Sequence, residues 1–223
     1  MESMVKFFSQ VDLEAGIASL SVFIYGEGPV KLSFQGEERE VMLNDSGVRE
    51  DFFILSVRLW KGVQDPYLYS FFVDEREYKF GLRTFGINRE RGFYLNGERY
   101  PLNGKNTLVT HSISDLDKCD KEGIISSFIF PFGHIPTLFE ISELSLHPSL
   151  VFWGYEIDGE KEEEMRRLNS ILYSLDKTRA TMALLDDKPS ASLFSIFDVT
   201  MMKEETKSER GIVIKRDGKG FIL

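Results

Sequence analysis

Two carboxylates, Glu156 and Asp158, stand two residues apart just beyond the apolar run Leu150 to Tyr155. Residues i and i+2 of a strand point to the same side, and neighbouring carboxylates raise one another's pKa. Such a pair is raw material for general acid–base work. The competing reading is a solvated acidic edge, because Gly159, Glu160, Lys161 and Glu162 to Glu164 follow directly and a helix N-terminus favours acids. Trp153 and Tyr155 on the same run, with His111 upstream, are candidate substrate-binding residues.

Other chemistry is thinner. His111, His134 and His147 are 23 and 13 residues apart, which is not metal-ligand spacing. Cys119 is the single cysteine, so neither an intrachain disulfide nor a cysteine zinc cluster can form. Glu204, Glu205 and Glu209 lie in a charged, loop-like stretch that reads as a solvated run. Gly16, Gly26 and Gly28 fit turns rather than a phosphate-cradling loop. The expectation is no metal and no cofactor.

The elements that would position these residues come in two kinds. From Ile17 to Ile87, short strands recur every 8 to 14 residues: Ile17–Tyr25, Val30–Phe34, Arg39–Leu43, Phe52–Trp60, Tyr67–Val73 and Tyr78–Ile87. Turn signals separate them, at Gly26 to Pro29 and Asn44 to Gly47, and no helical period intervenes. That pattern predicts an antiparallel β-sandwich of immunoglobulin type. From Ser112 onward, helical and apolar stretches alternate, which argues a βα arrangement on a parallel sheet. Ser112–Gly123, Ile135–Leu146 and Gly159–Leu175 read as helices. Ile124–Phe130, Leu150–Tyr155, Thr181–Leu185 and Leu193–Val199 read as strands, and the tail as a short hairpin around Asp217 and Gly218.

The 223 residues carry a formal net charge of −9. An acidic surface repels phosphate backbones, so nucleic acid is disfavoured as a partner. No apolar run approaches 18 residues, so no membrane span is expected, and the N-terminus lacks the pattern of a secretory signal. A soluble, cytoplasmic chain is expected. The 19 phenylalanines, 8 tyrosines and 2 tryptophans suit sandwich interiors, although flat rings also stack on sugars.

Leu59-Trp60-Lys61-Gly62-Val63-Gln64-Asp65-Pro66-Tyr67-Leu68-Tyr69 resembles a signature of glycoside hydrolase family two, which includes β-galactosidases, β-glucuronidases and β-mannosidases. Gly81-Leu82-Arg83-Thr84-Phe85 resembles the family's next strand. Phe93-Tyr94-Leu95-Asn96-Gly97-Glu98-Arg99 resembles the hairpin that opens its catalytic barrel. Cys119-Asp120 to Gly123, His147-Pro148-Ser149 to Trp153, and Leu175-Asp176-Lys177-Thr178-Arg179 resemble later barrel motifs. The resemblance implies an immunoglobulin-like sandwich over residues 1–90 and a (β/α)8-barrel-like α/β region over residues 91–223. A whole barrel takes about 250 residues, whereas 128 run from Asn96 to Leu223. A shortened barrel is therefore expected.

The same resemblance places the acid/base carboxyl at Asp158, where the family has glutamate, and Ile157 where it has asparagine. A carboxyl one methylene shorter misplaces the proton donor, and about 1 Å of misplacement can cost on the order of 100-fold in rate. No segment matches the family's nucleophile motif. Three functions stand open. The first is a catalytically impaired or inactive relative kept for binding or assembly, with a second copy or a partner protein covering the incomplete barrel. The second is an active glycosidase acting on β-linked sugars, its missing carboxylate supplied across an oligomer interface. The third is a carbohydrate-binding module using Trp60, Tyr100 or Tyr155 as a sugar platform.

Overall fold

The computed structural model describes residues 4–88, 92–102, 106–157, 161–185, 193–202, 212–216 and 221–222. The first seven strands form two facing antiparallel sheets. One holds β1 (Met4–Asp12), β2 (Ile17–Tyr25) and β5 (Val48–Ile54) in the order β1-β2-β5. The other holds β3 (Gly28–Phe34), β4 (Glu37–Leu43), β6 (Tyr69–Val73) and β7 (Arg76–Phe80) in the order β4-β3-β6-β7. Alternation along each strand turns Val5, Leu20, Val22, Ile24, Leu32, Phe34, Phe52, Phe71 and Phe80 inward to one apolar core. Aromatic rings meet edge-to-face there, as between Phe52 and Phe71 at 5.3 Å. The expected sandwich is present.

A small sheet follows, in which β8 (Phe85–Asn88), β9 (Gly92–Leu95) and β10 (Glu98–Arg99) pair antiparallel. Then comes a parallel sheet: β11 (Thr107–Thr110), β12 (Ile125–Phe130), β13 (Leu150–Ile157), β14 (Ala180–Leu185), β15 (Val199–Met202) and β16 (Ile212–Arg216). An antiparallel β17 (Phe221–Ile222) ends it. The connections carry α1 (Ile113–Glu122), α2 (Leu138–Leu144), α3 (Glu162–Leu175) and α4 (Leu193–Ile196). The whole is a β-sandwich followed by a partial α/β region. No helix among the described residues is long and apolar enough to cross a membrane.

Local chemistry explains the helix limits. Gly123 ends α1 in the left-handed conformation at φ 73°, which glycine adopts without a Cβ penalty. Thr137 and Glu140 form a reciprocal capping box at the start of α2. Glu162, Glu163 and Glu164 occupy the first turn of α3, where the helix dipole favours them.

Three expectations are corrected. The strand expected over Phe52–Trp60 ends at Ile54, because Trp60 leaves the sandwich and donates from Nε1 to the Asp120 carbonyl at 3.0 Å. Tyr78–Ile87 is not continuous: Gly81 to Thr84 break away between β7 and β8 as Arg83 reaches the carbonyls of Pro148 and Leu150. Leu193–Val199 is a helical turn before β15 rather than a strand, with the Asp198 carboxylate pinned by the Thr181 N–H at 2.8 Å. No motif in the sequence marks strands β1 and β11. The tail hairpin is present as β16 and β17, although its turn lies outside the described residues.

Candidate functional site

The parallel sheet has two different faces. Trp153, Tyr155 and Ile157 of β13 join Leu116, Ile141, Met165, Leu168 and Leu172 in the core beneath the helices. Phe152 joins Ile125, Ile129, Met182, Leu184 and Val199 on the opposite face, covered by Trp60, Phe93, Leu95, Tyr100 and Leu102. Strand parity therefore sends Glu156 to this second, inner face, where it is the exposed residue of an otherwise buried strand.

Below Glu156 the inner face is closed. Ile129, Gly154, Met182 and Val199 stand level across four strands. A Cβ on Gly154 would lie 2.3 Å from Ile129 Cδ1 and 3.2 Å from Met182 Cε. Neighbouring side chains thus fill the space a side chain there would take. Chemistry on this face is confined to the carboxyl ends of the strands, the rim that open and barrel α/β sheets use for ligands.

Two of the sequence-derived candidates reach that rim. His111 follows β11, is exposed, and places Nδ1 2.7 Å from the Ile129 carbonyl, so Nδ1 carries the proton. Glu156 lies two strands away, on the order of 10 Å by strand spacing. Asp158 lies outside the described residues. Trp153 is fully buried, donates from Nε1 to Asp176 Oδ2 at 3.0 Å and stacks near Phe130 at 6.0 Å. Tyr155 is also fully buried, and its hydroxyl donates to the His134 carbonyl at 3.0 Å. Burial pushes its phenol up. Both rings face the helices and offer a ligand no surface in this arrangement.

Sequence reasoning did not foresee how densely the motif residues bond to one another. Asp176 accepts from Trp153, from Arg179 Nη1 at 2.7 Å, and from the backbone and hydroxyl of Thr178 at 2.8 and 2.6 Å. Burial pushes this carboxyl up, but Arg179 and Thr178 outweigh it and hold the pKa at about 2. Arg179 also donates to the carbonyls of Leu150 and Ser145, at 2.8 and 2.7 Å. Arg83 grips Pro148 and Leu150 from the sandwich side. Burial, then the nearby Arg179, pull its guanidinium down to about 9. Asn96 closes the hairpin end, accepting from Thr84 N–H and donating to the Trp60 carbonyl, each at 2.9 Å.

Asp117, Asp120 and His147 bring three ligand-type atoms within 4.8 Å. Two of the three groups already have other work. His147 Nδ1 is 2.6 Å from Asp120 Oδ2, and Asp120 Oδ1 accepts the Ser149 N–H at 3.0 Å. Together these bonds tie α1 to the entry of β13.

Comparison with known proteins gives the same outline. No family model matches the chain. A β-glucuronidase of Bacteroides fragilis is 25% identical over 192 residues, spanning 56% of this chain and 28% of that protein. A glycosyl hydrolase family 2 member from Bacteroides cellulosilyticus superposes with TM-score 0.71 at 19% identity, covering 90% of this chain and 37% of that one. The chain is glycoside hydrolase family two-like. A Parabacteroides merdae β-glucuronidase agrees, at TM-score 0.71 and 17% identity, covering 94% and 37%. The family two-like chain thus spans well under half the length of these relatives. In it, the motifs that carried the resemblance are joint and scaffold: Trp60, Arg83, Asn96, Asp120, His147, Asp176 and Arg179 all bond across element boundaries.

Proposed function

We propose that this family two-like chain does not hydrolyse glycosides by itself and serves in binding or assembly. One observation carries the reading: Glu156 is the only carboxylate on β11 to β15. A retaining glycosidase needs a second carboxyl group about 5–5.5 Å away. The strand neighbour level with Glu156 is Leu184, and the row below is packed with Ile129, Gly154 and Met182. Ile157, which stands where the family has asparagine, is buried among the helices rather than aimed at the rim.

The same proposal includes a division into a sandwich over residues 1–90 and a shortened barrel-like region over residues 91–223. It also includes a second copy or a partner protein against the open edge of the parallel sheet. Trp60, Tyr100 and Tyr155, the platform of the carbohydrate-module reading, are all buried. That reading gains nothing from those three rings.

The test is a panel of aryl β-glycosides, including the glucuronide and galactoside, assayed with wild type, Glu156→Gln and Asp158→Asn. No release above buffer is expected for any of the three. Turnover by wild type that either substitution abolishes would overturn the proposal. Specific activity that rises with protein concentration would instead favour an active site completed by a second chain.

A further inference from the structure

The joint between the sandwich and the parallel sheet holds a cavity of about 250 Å³. Phe7, Ser9, Phe80, Arg83 and Phe85 border it from the sandwich side, and Arg179 from the sheet side. Strand alternation turns Ser9 to the same side of β1 as Phe7. No aspartate or glutamate among the described residues lines this cavity, although the chain carries a formal net charge of −9. Its polar wall is cationic.

Two guanidiniums share that wall, and only one of them has an acid. Both donate to the Leu150 carbonyl, Arg83 from Nη2 at 2.5 Å and Arg179 from Nε at 2.8 Å, so like charges stand side by side. Arg179 is paired with Asp176 at 2.7 Å, and Asp120 with His147 at 2.6 Å. Arg83 donates from Nε to the Pro148 carbonyl and lies over the Phe85 ring, 4.8 Å from its centroid. Among the described residues its Nη1 has no hydrogen-bond partner and its charge no ion pair. Asp176 and Asp120 act on it only from a distance, and each weighs less than the repulsion from Arg179. A cation held this way gains from an anion that reaches it.

We propose that this cavity binds a small apolar monocarboxylate, its carboxyl group on Arg83 Nη1 and its apolar body against Phe7 and Phe80. Guanidinium N–H groups match carboxylate oxygens and make the stronger, charge-assisted class of hydrogen bond. The hydroxyls of Ser9 and Thr84, also on the wall, add donors. The charge count selects the ligand. One guanidinium lacks an acid, so one negative charge balances the site. A neutral sugar leaves Arg83 uncompensated, and a phosphate dianion brings more charge than Arg83 alone balances. A hydrophilic body would also set hydroxyls against phenyl rings, at a desolvation cost. Small-molecule sites run to about 300–1,000 Å³, so a cavity of about 250 Å³ suits a ligand of roughly one ring. Leu150 and Glu156 stand near opposite ends of β13. The site therefore stands whether or not the Glu156 rim turns over glycosides.

Equilibrium dialysis at fixed ionic strength, with benzoate, benzamide, glucuronate and inorganic phosphate, tests the site. Benzoate is expected to bind saturably, and about tenfold or more tighter than its neutral isostere benzamide. Arg83→Lys keeps a charge but loses the planar fork, and should weaken benzoate about tenfold. Ser9→Leu fills the cavity while leaving every Arg83 bond in place, and should abolish binding in a chain with wild-type far-UV circular dichroism. Lys118→Gln, at an exposed position of α1, should change nothing. Absence of saturable benzoate binding would overturn the site. So would benzamide bound as tightly as benzoate, which removes charge from the recognition. Tighter binding of glucuronate or phosphate would overturn the apolar monocarboxylate as occupant. Benzoate binding that survives in folded Ser9→Leu would place the ligand elsewhere. Should Ser9→Leu fail to fold, undiminished binding by Arg83→Lys overturns the site in its stead.

Discussion

Asp176 shows how much one buried side chain can hold. It is a carboxylate in a nearly dry site, and it stays ionised because Arg179, Thr178 and Trp153 together outweigh the cost of burial. Its pKa is depressed relative to the unfolded chain. The stabilisation is therefore fully present above the unfolded value near 4 and is lost as pH falls through about 2. Asp176→Asn keeps an acceptor for Trp153 but removes the charge, leaving the buried Arg179 guanidinium unpaired. Breaking such a pair costs about 3–5 kcal/mol. Urea titrations at pH 7 should show a loss of that size, and the gap to wild type should shrink steadily below pH 4. A gap that stays constant down to pH 2 would show that the charge contributes nothing.

At the scale of elements, the sequence was legible where one physical signal dominated. Alternation around Val30, Leu32 and Phe34 marks β3, and the stripe of Met165, Leu168, Leu172 and Leu175 marks α3. It was illegible where tertiary bonding overrode local pattern. Gly81 to Thr84 look strand-like, yet Pro148 packs so close to Gly81 that an added Cβ would lie 2.6 Å from its Cγ. Thr107–Thr110 are too short to announce β11 and depend on pairing with β12. At the candidate site, residue parity predicts a shared side for Glu156 and Asp158, but nothing in the sequence reveals that Trp153 and Tyr155 take the helix side. Glycines test the same point. A Cβ on Gly123 would lie 2.2 Å from the Gly62 backbone, at φ 73°, whereas Gly133 at φ 88° has open space around it. Gly133→Ala should cost about 1–2 kcal/mol for backbone conformation alone. Gly123→Ala should cost about 3 kcal/mol or more, because overpacking adds to the strain. Thermal melts of the pair decide this, and equal losses would mean the α1 joint can open without penalty.

For the molecule as a whole, the decisive feature is that the sandwich and the parallel sheet share their polar bonds. Trp60 reaches α1, Arg83 reaches the entry of β13, and Lys6 of β1 donates to the Leu175 carbonyl at the end of α3, at 3.1 Å. Each carbonyl so held would otherwise be left short of a partner, at about 1–3 kcal/mol apiece where buried. The sandwich has its own core and could survive alone, whereas the sheet depends on Trp60 and the β9–β10 hairpin to cover its inner face. Unfolding should therefore be a single transition in which the sheet never outlasts the joint. Both tryptophans, Trp60 in the joint and Trp153 under the helices, report on that half, while far-UV circular dichroism reports on both. The two probes should coincide in urea for wild type. In Arg83→Met they should separate, fluorescence changing first, because the Pro148 carbonyl loses its Arg83 donor and the Leu150 carbonyl keeps only Arg179, while the sandwich core is untouched. Separate transitions already in wild type would mean that the joint does not couple the two halves.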